Sequence, residues 1–140
     1  MLEDDDVVRE NLNRLSQLDT YIAIDDFGTG YSSLAHLRDV PFDVLKIDHP
    51  FVQGAPDDEK TGAITRSIIS LAHSLSLRVV AETVETLPQF DLLVRHNCDL
   101  VQGYLTGHPV APAGFSALLK KAKQEGRVPT KVADASPASA

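Results

Sequence analysis

Apolar and polar positions follow two periods along the chain, and the two alternate. Short, nearly continuous apolar runs occur at residues 21–24, 44–48, 78–85 and 99–104. Runs of this kind suit strands that are buried on both faces, because a parallel sheet covered by helices leaves neither face to water. Between them lie stretches of 3.6-residue period at residues 31–38, 57–75 and 87–96. The clearest is 57–75, where Ile64, Ile68, Leu71, Ala72 and Leu75 recur on one helical stripe. Another amphipathic stretch, 7–18, precedes the first strand with Val8, Leu12 and Leu15 aligned, and 115–122 follows the last. The predicted order is αβαβαβαβα. Such alternation implies an α/β fold with a parallel sheet and right-handed crossovers, so all four strand ends lie on one side.

Those ends carry the polar chemistry. The first apolar run stops at two adjacent carboxylates, Asp25 and Asp26, ahead of a loop containing Gly28, Thr29 and Gly30. Lys46 and Asp48 stand two apart, which puts both on one strand face. The third run ends in Glu82 and Glu85, and the fourth carries Gln102. Neighbouring carboxylates repel unless cations hold them ionised, and hard oxygen donors suit Mg²⁺, Mn²⁺ or Ca²⁺. For the Asp25–Asp26 pair taken alone, the competing reading is a solvated turn in which Asp26 caps the next helix. Repetition of polar groups at four strand ends favours a site, since catalytic residues gather at the C-terminal ends of strands in barrels and doubly wound sheets.

The segments IDDFGTGYSSL (24–34), LKIDHPFV (45–52), VVAETVET (79–86) and QGYLTGHP (102–109) resemble, in order, the motifs DDFGTGYSSL, KIDxxFV, VVAEGVET and QGYxxxxP of the EAL family. These are bacterial phosphodiesterases of the second messenger cyclic di-GMP. The resemblance covers about residues 1–119 and implies a TIM-like (β/α)8 barrel with two Mg²⁺ or Mn²⁺ ions, in which water opens cyclic di-GMP to linear pGpG. It implies that Asp25 and Asp26 ligate metal and that Lys46 steadies the phosphate or the water. Glu82 would be the metal-linked base, with Asp48, Glu85 and Gln102 supporting it and Gly28, Thr29 and Gly30 shaping the loop. Two clamped cations would stabilise the attacking and leaving oxygens together. The family draws further ligands from strands upstream of the matched segment: the glutamate of Glu-Ala-Leu, an asparagine and the glutamate of an ExTE motif. The expectation is therefore four strands, the C-terminal half of a barrel that takes roughly 250 residues, which self-associates or joins an upstream half and is inactive alone. Thr83 replaces the glycine of the family motif, and a β-branched residue does not readily take positive φ.

Composition narrows the alternatives. A net charge of −7 argues against a nucleic-acid-coating surface, yet bound divalent cations would reverse the local sign for a phosphate ligand. Cys98 is the single cysteine, which excludes an internal disulfide and reads as a small buried residue. No apolar run approaches the roughly 20 residues of a membrane span, and the acidic start (Glu3 to Asp6) is unlike a signal peptide; the expected location is cytoplasmic. The five histidines, at 36, 49, 73, 96 and 108, show no metal-ligand spacing and read as surface residues. Phe27, Tyr31, Phe51 and Tyr104 read as core or loop anchors, one of which could touch a base. Residues 1–119 are expected to form the partial barrel, 120–140 the end of the last helix and a tail, with 124–140 flexible because Ala, Ser and Pro bury little apolar area. Asp26-Phe27-Gly28 mimics a kinase DFG without the accompanying kinase motifs. A phospho-receiver is disfavoured because Lys46 precedes Asp48 in the same strand. A non-catalytic module that binds cyclic di-GMP or a protein stands as the alternative to the enzyme.

Overall fold

The structure, a computed structural model, describes residues 2–28, 37 and 40–126, and for residues 2–6 the backbone alone. The chain divides into two units, Met1–Gly107 and His108–Ala140. The first contains α1 (Leu2–Ser16), β1 (Ala23–Phe27), β2 (Val44–Ile47), α2 (His49–Gly54), α3 (Glu59–Ser74), β3 (Arg78–Ala81), α4 (Leu87–Arg95) and β4 (Leu100–Val101). The second contains α5 (Pro112–Gln124). Apart from Leu37, the helix expected at 31–38 lies outside the described residues, as do Thr29 and Gly30 of the loop and most of the expected tail.

All four strands are parallel and stand in chain order, β1-β2-β3-β4. Their register separates the two faces of the sheet. Ile24, Leu45 and Val79 align, as do Phe27, Ile47, Ala81 and Val101, and side chains in register on parallel strands share a face. Leu45, Ile47, Val79 and Ala81 are completely buried. They form one core with Val52 of α2, Ile68, Ile69 and Ala72 of α3, and Leu93 of α4. Each buried leucine, isoleucine or valine contributes about 1.5–3 kcal/mol relative to exposure, so this face holds the layers together. The other face carries Ala23, Val44 and Arg78 in one row and Lys46, Val80 and Leu100 in the next. Leu100 on that face remains 51% exposed.

Local chemistry sets the helix limits. Asp58 caps α3 by accepting a hydrogen bond from the Thr61 N–H at 2.8 Å, which satisfies a donor with no intrahelical partner. The Thr86 and Gln89 side chains close a capping box at α4. Two helices illustrate limits of periodicity. The six-residue α2 was not legible as a helix because it is under two turns long; its signals are Asp48, which accepts from His49 N–H at 2.7 Å, and Pro50 in the first turn. α5 extends beyond the expected 115–122 at both ends, starting on Pro112, whose fixed φ suits a first turn.

The strands are shorter than their apolar runs at two places. β3 ends at Ala81 rather than 85, and β4 holds two residues of the expected six. β1 differs in the opposite sense, since pairing continues through Asp25 and Asp26 to Phe27. At the entry side of the sheet, carboxylates clamp strand starts. Asp43 Oδ2 accepts from Ile22 N–H at 2.7 Å, and Asp99 Oδ2 accepts from Val79 N–H at 2.8 Å while pairing with His73 Nε2 at 2.9 Å. His73 is exposed, as read from sequence, and also ties α3 to the strand start.

Partial burial acts to raise the Asp99 carboxyl pKa, but the His73 ring and the Val79 N–H outweigh it and hold it below its ordinary 3.8. A depressed carboxylate pKa stabilises the fold above the unfolded value and loses that effect as pH falls through the folded one. Asp99→Ala should therefore lower stability by about 1 kcal/mol at neutral pH. The difference from the parent should shrink as pH falls below 4 in urea denaturation, and a difference independent of pH would contradict the clamp.

Candidate active site at the strand exits

On a regular strand, successive side chains point to opposite faces, so Asp25 and Asp26 could not serve one site. The structure resolves this with an irregularity. Ile24 pairs with Leu45 and Phe27 with Ile47, so two residues of β1 oppose one of β2. Asp26 takes φ 52°, the left-handed region that Asp tolerates better than most residues. This is a bulge, which re-aims side chains at a strand end. As a result, carboxylate oxygens of Asp25, Asp26 and Glu82 all lie within 4.8 Å of one another. Gly28 follows at φ 100°, and a Cβ there would come 2.6 Å from the Phe51 ring, so this turn requires glycine.

Lys46 sits between the acids. Its Nζ donates to Asp25 Oδ1 at 2.9 Å and to Glu82 Oε1 at 2.7 Å. The side chains of Lys46 and Glu82 are 24% and 20% exposed, against 59% for Asp25. The Glu82 carboxylate, then that of Asp25, holds the Lys46 pKa above its ordinary value. The hydrogen bond from Lys46 holds Asp25 below its own. One ammonium therefore bridges the acids of two neighbouring strands, Asp25 and Glu82.

A second left-handed residue shapes the other half of the site. Thr83 takes φ 54°. Ala81 and Val84 are both fully buried, although strict alternation would send them to opposite faces. The turn at Thr83 absorbs the extra residue and places Glu82 and Glu85, three apart, around the same cavity. That cavity has a volume of about 270 Å³ and is lined by Asp48, His49, Glu82, Thr83, Glu85, Gln102, Gly103 and Tyr104. β3 and β4 stay joined beyond Thr83, with Val84 N–H donating to Gln102 O at 3.0 Å. A Cβ on Gly103 would overlap the Val84 backbone, so this approach admits only glycine.

The residues named from sequence thus fall into two adjoining groups. Asp25, Asp26, Lys46 and Glu82 form the ionic cluster, while Asp48, Glu85 and Gln102 share the cavity with Glu82. Asp48 has a structural task as well, because its Oδ1 caps α2. His49 and Tyr104 also line the cavity; His49 was set aside with the scattered histidines, since its place depends on α2 beginning there. Phe27 and Phe51 pack in or against the core. Three hard oxygen donors converging within one ion's reach fit a divalent cation, whose remaining positions would fall to water, phosphate or other carboxylates.

Four parallel strands in chain order, with helices packed on them, form an α/β frame shared with solved structures. The EAL domain profile matches residues 1–109, and the chain belongs to the EAL domain family. The cyclic di-GMP phosphodiesterase NbdA of Pseudomonas aeruginosa is 42% identical over 120 residues, which are 86% of this chain and 15% of that protein. The crystal structure of the EAL domain of Mycobacterium smegmatis DcpA matches at 40% identity with a TM-score of 0.80, covering 89% of this chain and 54% of that one. Klebsiella pneumoniae BlrP1, solved as a manganese and cyclic di-GMP complex, matches at 36% identity and a TM-score of 0.65 over 70% of this chain and 25% of its own. The chain therefore spans about half of the solved EAL domain of DcpA and a smaller share of NbdA and BlrP1.

Thr83 adopts a glycine-like conformation at an energetic cost. A left-handed β-branched residue is destabilised by roughly 1–2 kcal/mol. In addition, its Oγ1 is buried with no hydrogen-bond partner among the described residues, which is unfavourable in itself. Replacement by glycine removes both penalties and adds back chain entropy of roughly 0.5–1 kcal/mol in the unfolded state. Thr83→Gly should thus raise the stability of the chain by about 1 kcal/mol in urea denaturation. A destabilised variant would show that packing of the Thr83 methyl outweighs the strain.

Proposed function

We propose that this chain supplies the C-terminal half of the catalytic barrel of a cyclic di-GMP phosphodiesterase, acting in the cytoplasm and opening the cyclic dinucleotide to linear pGpG. The observation that carries the reading is the Asp25–Lys46–Glu82 ionic cluster at three neighbouring strand exits, in a chain 42% identical to a phosphodiesterase of that substrate. In this reading residues 1–119 are the partial barrel. Asp25, Asp26 and Glu82 would hold Mg²⁺ or Mn²⁺, with two ions in the intact site, and such cations would supply a more acidic water and neutralise charge at phosphorus. Lys46 places its ammonium beside the phosphate, and Glu82 takes the proton of the attacking water at its carboxylate. Gln102 and Glu85 orient the bound dinucleotide through hydrogen bonds, while Asp48 keeps the start of α2 in place beneath them. Gly28, at φ 100° against the Phe51 ring, turns the chain directly after the two aspartates.

Three carboxylates can seat one cation that completes its shell with water, but the two-ion site of the family, as the resemblance implies, takes further ligands from the other half of the barrel. The isolated chain consequently binds divalent ions weakly, and its turnover is negligible. The cavity within this half, about 270 Å³, favours a second reading, a module that binds cyclic di-GMP without cleaving it. That cavity is smaller than a typical ligand pocket of 300–1,000 Å³, so it suits one end of the dinucleotide.

The purified 140-residue chain, incubated with MnCl₂ and cyclic di-GMP, should give negligible pGpG by chromatography; robust conversion abolished by EDTA would overturn the half-site argument. A chimera joining the upstream half of the DcpA EAL domain to this chain should hydrolyse cyclic di-GMP. In that chimera Asp25→Asn should abolish turnover, and Lys46→Ala and Glu82→Gln should each lower kcat by about 100-fold or more with unchanged circular dichroism. A folded chimera that binds cyclic di-GMP but never cleaves it would favour the binding module.

A further inference from the structure

Of the aromatic residues that stood from sequence as core or loop anchors, Phe27 is buried in the core and Phe51 packs against it, and Tyr31 lies outside the described residues. Tyr104 differs. It is 57% exposed and lines the cavity at the strand exits together with His49, Glu85 and Gln102. An exposed aromatic ring beside convergent polar groups suits a planar ligand, because a flat π-face stacks on it whatever the ligand's edges carry.

The polar groups define which edges fit. The Glu85 carboxylate, the His49 ring and the Gln102 amide make no hydrogen bond or ion pair among the described residues. Their backbones, in contrast, are pinned. Glu85 N–H donates to Oε1 of the buried Gln89 at 2.8 Å, His49 N–H donates to Asp48 Oδ1 at 2.7 Å, and Gln102 N–H donates to Ala81 O at 2.8 Å. A fixed main chain that carries unpaired side-chain donors and acceptors is pre-organised for a ligand. All four residues stand directly after β2, β3 or β4, so the cavity is built by consecutive strand exits of one unit.

We propose that this cavity is a nucleobase subsite that selects guanine, with the base stacked on Tyr104, Glu85 as the residue that determines specificity and His49 as a second contact. An ionised carboxylate accepts hydrogen bonds and donates none. Guanine offers it two donors side by side, the ring N1–H and the exocyclic amino group. Adenine turns the N1 lone pair to the same place, and two acceptors repel. A site built to pair with donors on its ligand strongly rejects an analogue that lacks them, because its own polar group is left unpaired. The imidazole N–H and the Gln102 amide donate to O6 and N7 of guanine. His49 stands at a position that the motif KIDxxFV leaves open, so this contact belongs to this chain. The inference rests on the cavity holding one end of the dinucleotide, and it names that end.

Titration of the ¹⁵N-labelled 140-residue chain with cyclic di-GMP and with cyclic di-AMP, both in EDTA, tests the subsite without turnover. The expected result is a set of shifted amides centred on Glu85, Gln102 and Tyr104, with cyclic di-GMP bound at least about tenfold more tightly. Tyr104→Ala should weaken both dinucleotides about tenfold, while Tyr104→Phe keeps the stacking face and binds like the parent. Glu85→Gln should erase the preference for guanine, since an amide both donates and accepts. His49→Ala should weaken cyclic di-GMP about fivefold and cyclic di-AMP less. Equal affinity for the two dinucleotides, a Glu85→Gln variant that still prefers guanine, or shifts centred on Asp25 and Lys46 instead would overturn the subsite and leave the phosphodiesterase reading standing. Absence of binding by either dinucleotide at millimolar concentration would overturn the subsite as well. Failure of the folded chimera to cleave cyclic di-GMP is the separate result that overturns the phosphodiesterase reading.

Discussion

The ammonium of Lys46 is the charge around which this half of the site is organised. It reaches carboxylates on the strands to either side, at 2.9 Å from Asp25 and 2.7 Å from Glu82, and so ties β1 and β3 together at their exits through β2. The lysine thereby holds two like-charged groups, Asp25 and Glu82, close together, and its hydrogen bond keeps the Asp25 carboxyl below its ordinary pKa. A divalent cation binds carboxylates in the deprotonated form.

Position on the sheet makes this possible. Lys46 lies between Leu45 and Ile47, both fully buried against the helices, so strand alternation alone turns its side chain to the opposite face. The same alternation works against Asp25–Asp26 and against Glu82 and Glu85, and in both cases a left-handed residue corrects it. At Asp26 the correction is mild because aspartate accepts that region. At Thr83 it falls on a β-branched residue and leaves a buried hydroxyl without a partner. Strain of this type persists where the surroundings determine the backbone, and here they do. Val84 is anchored in the core, its N–H bonded to Gln102 O and its O to Leu105 N–H.

Local pattern and tertiary structure divide the protein between them in a consistent way. The α/β order, the parallel sheet, the main helices and the gathering of Asp25, Asp26, Lys46, Glu82, Glu85 and Gln102 toward one side were legible from periodicity and from four motifs in order. Short-range regularity and topology determine these features, and residue spacing records both. Less legible was whatever depends on a single backbone angle or a distant partner. α2 is too short to show a period. β3 and β4 proved shorter than their apolar runs because pairing stops where a neighbouring strand stops, whatever the composition. The Asp99–His73 tie joins residues 26 apart, and spacing in sequence does not encode that approach.

Thr83 marks the boundary most clearly. From sequence it stood as a threonine in a glycine position, with the expectation that a β-branched residue does not readily take positive φ. The folded chain takes the positive φ and keeps Glu82 and Glu85 on one cavity, because burial of Val84 and the bonds to β4 outweigh a local preference of one or two kcal/mol. The sequence by itself determined which chemical groups reach the strand exits, since that follows from a period of two and a fixed order of elements. Only the tertiary structure decided which of them meet, since contact at 3 Å depends on bulges and register that arise when the strands pair.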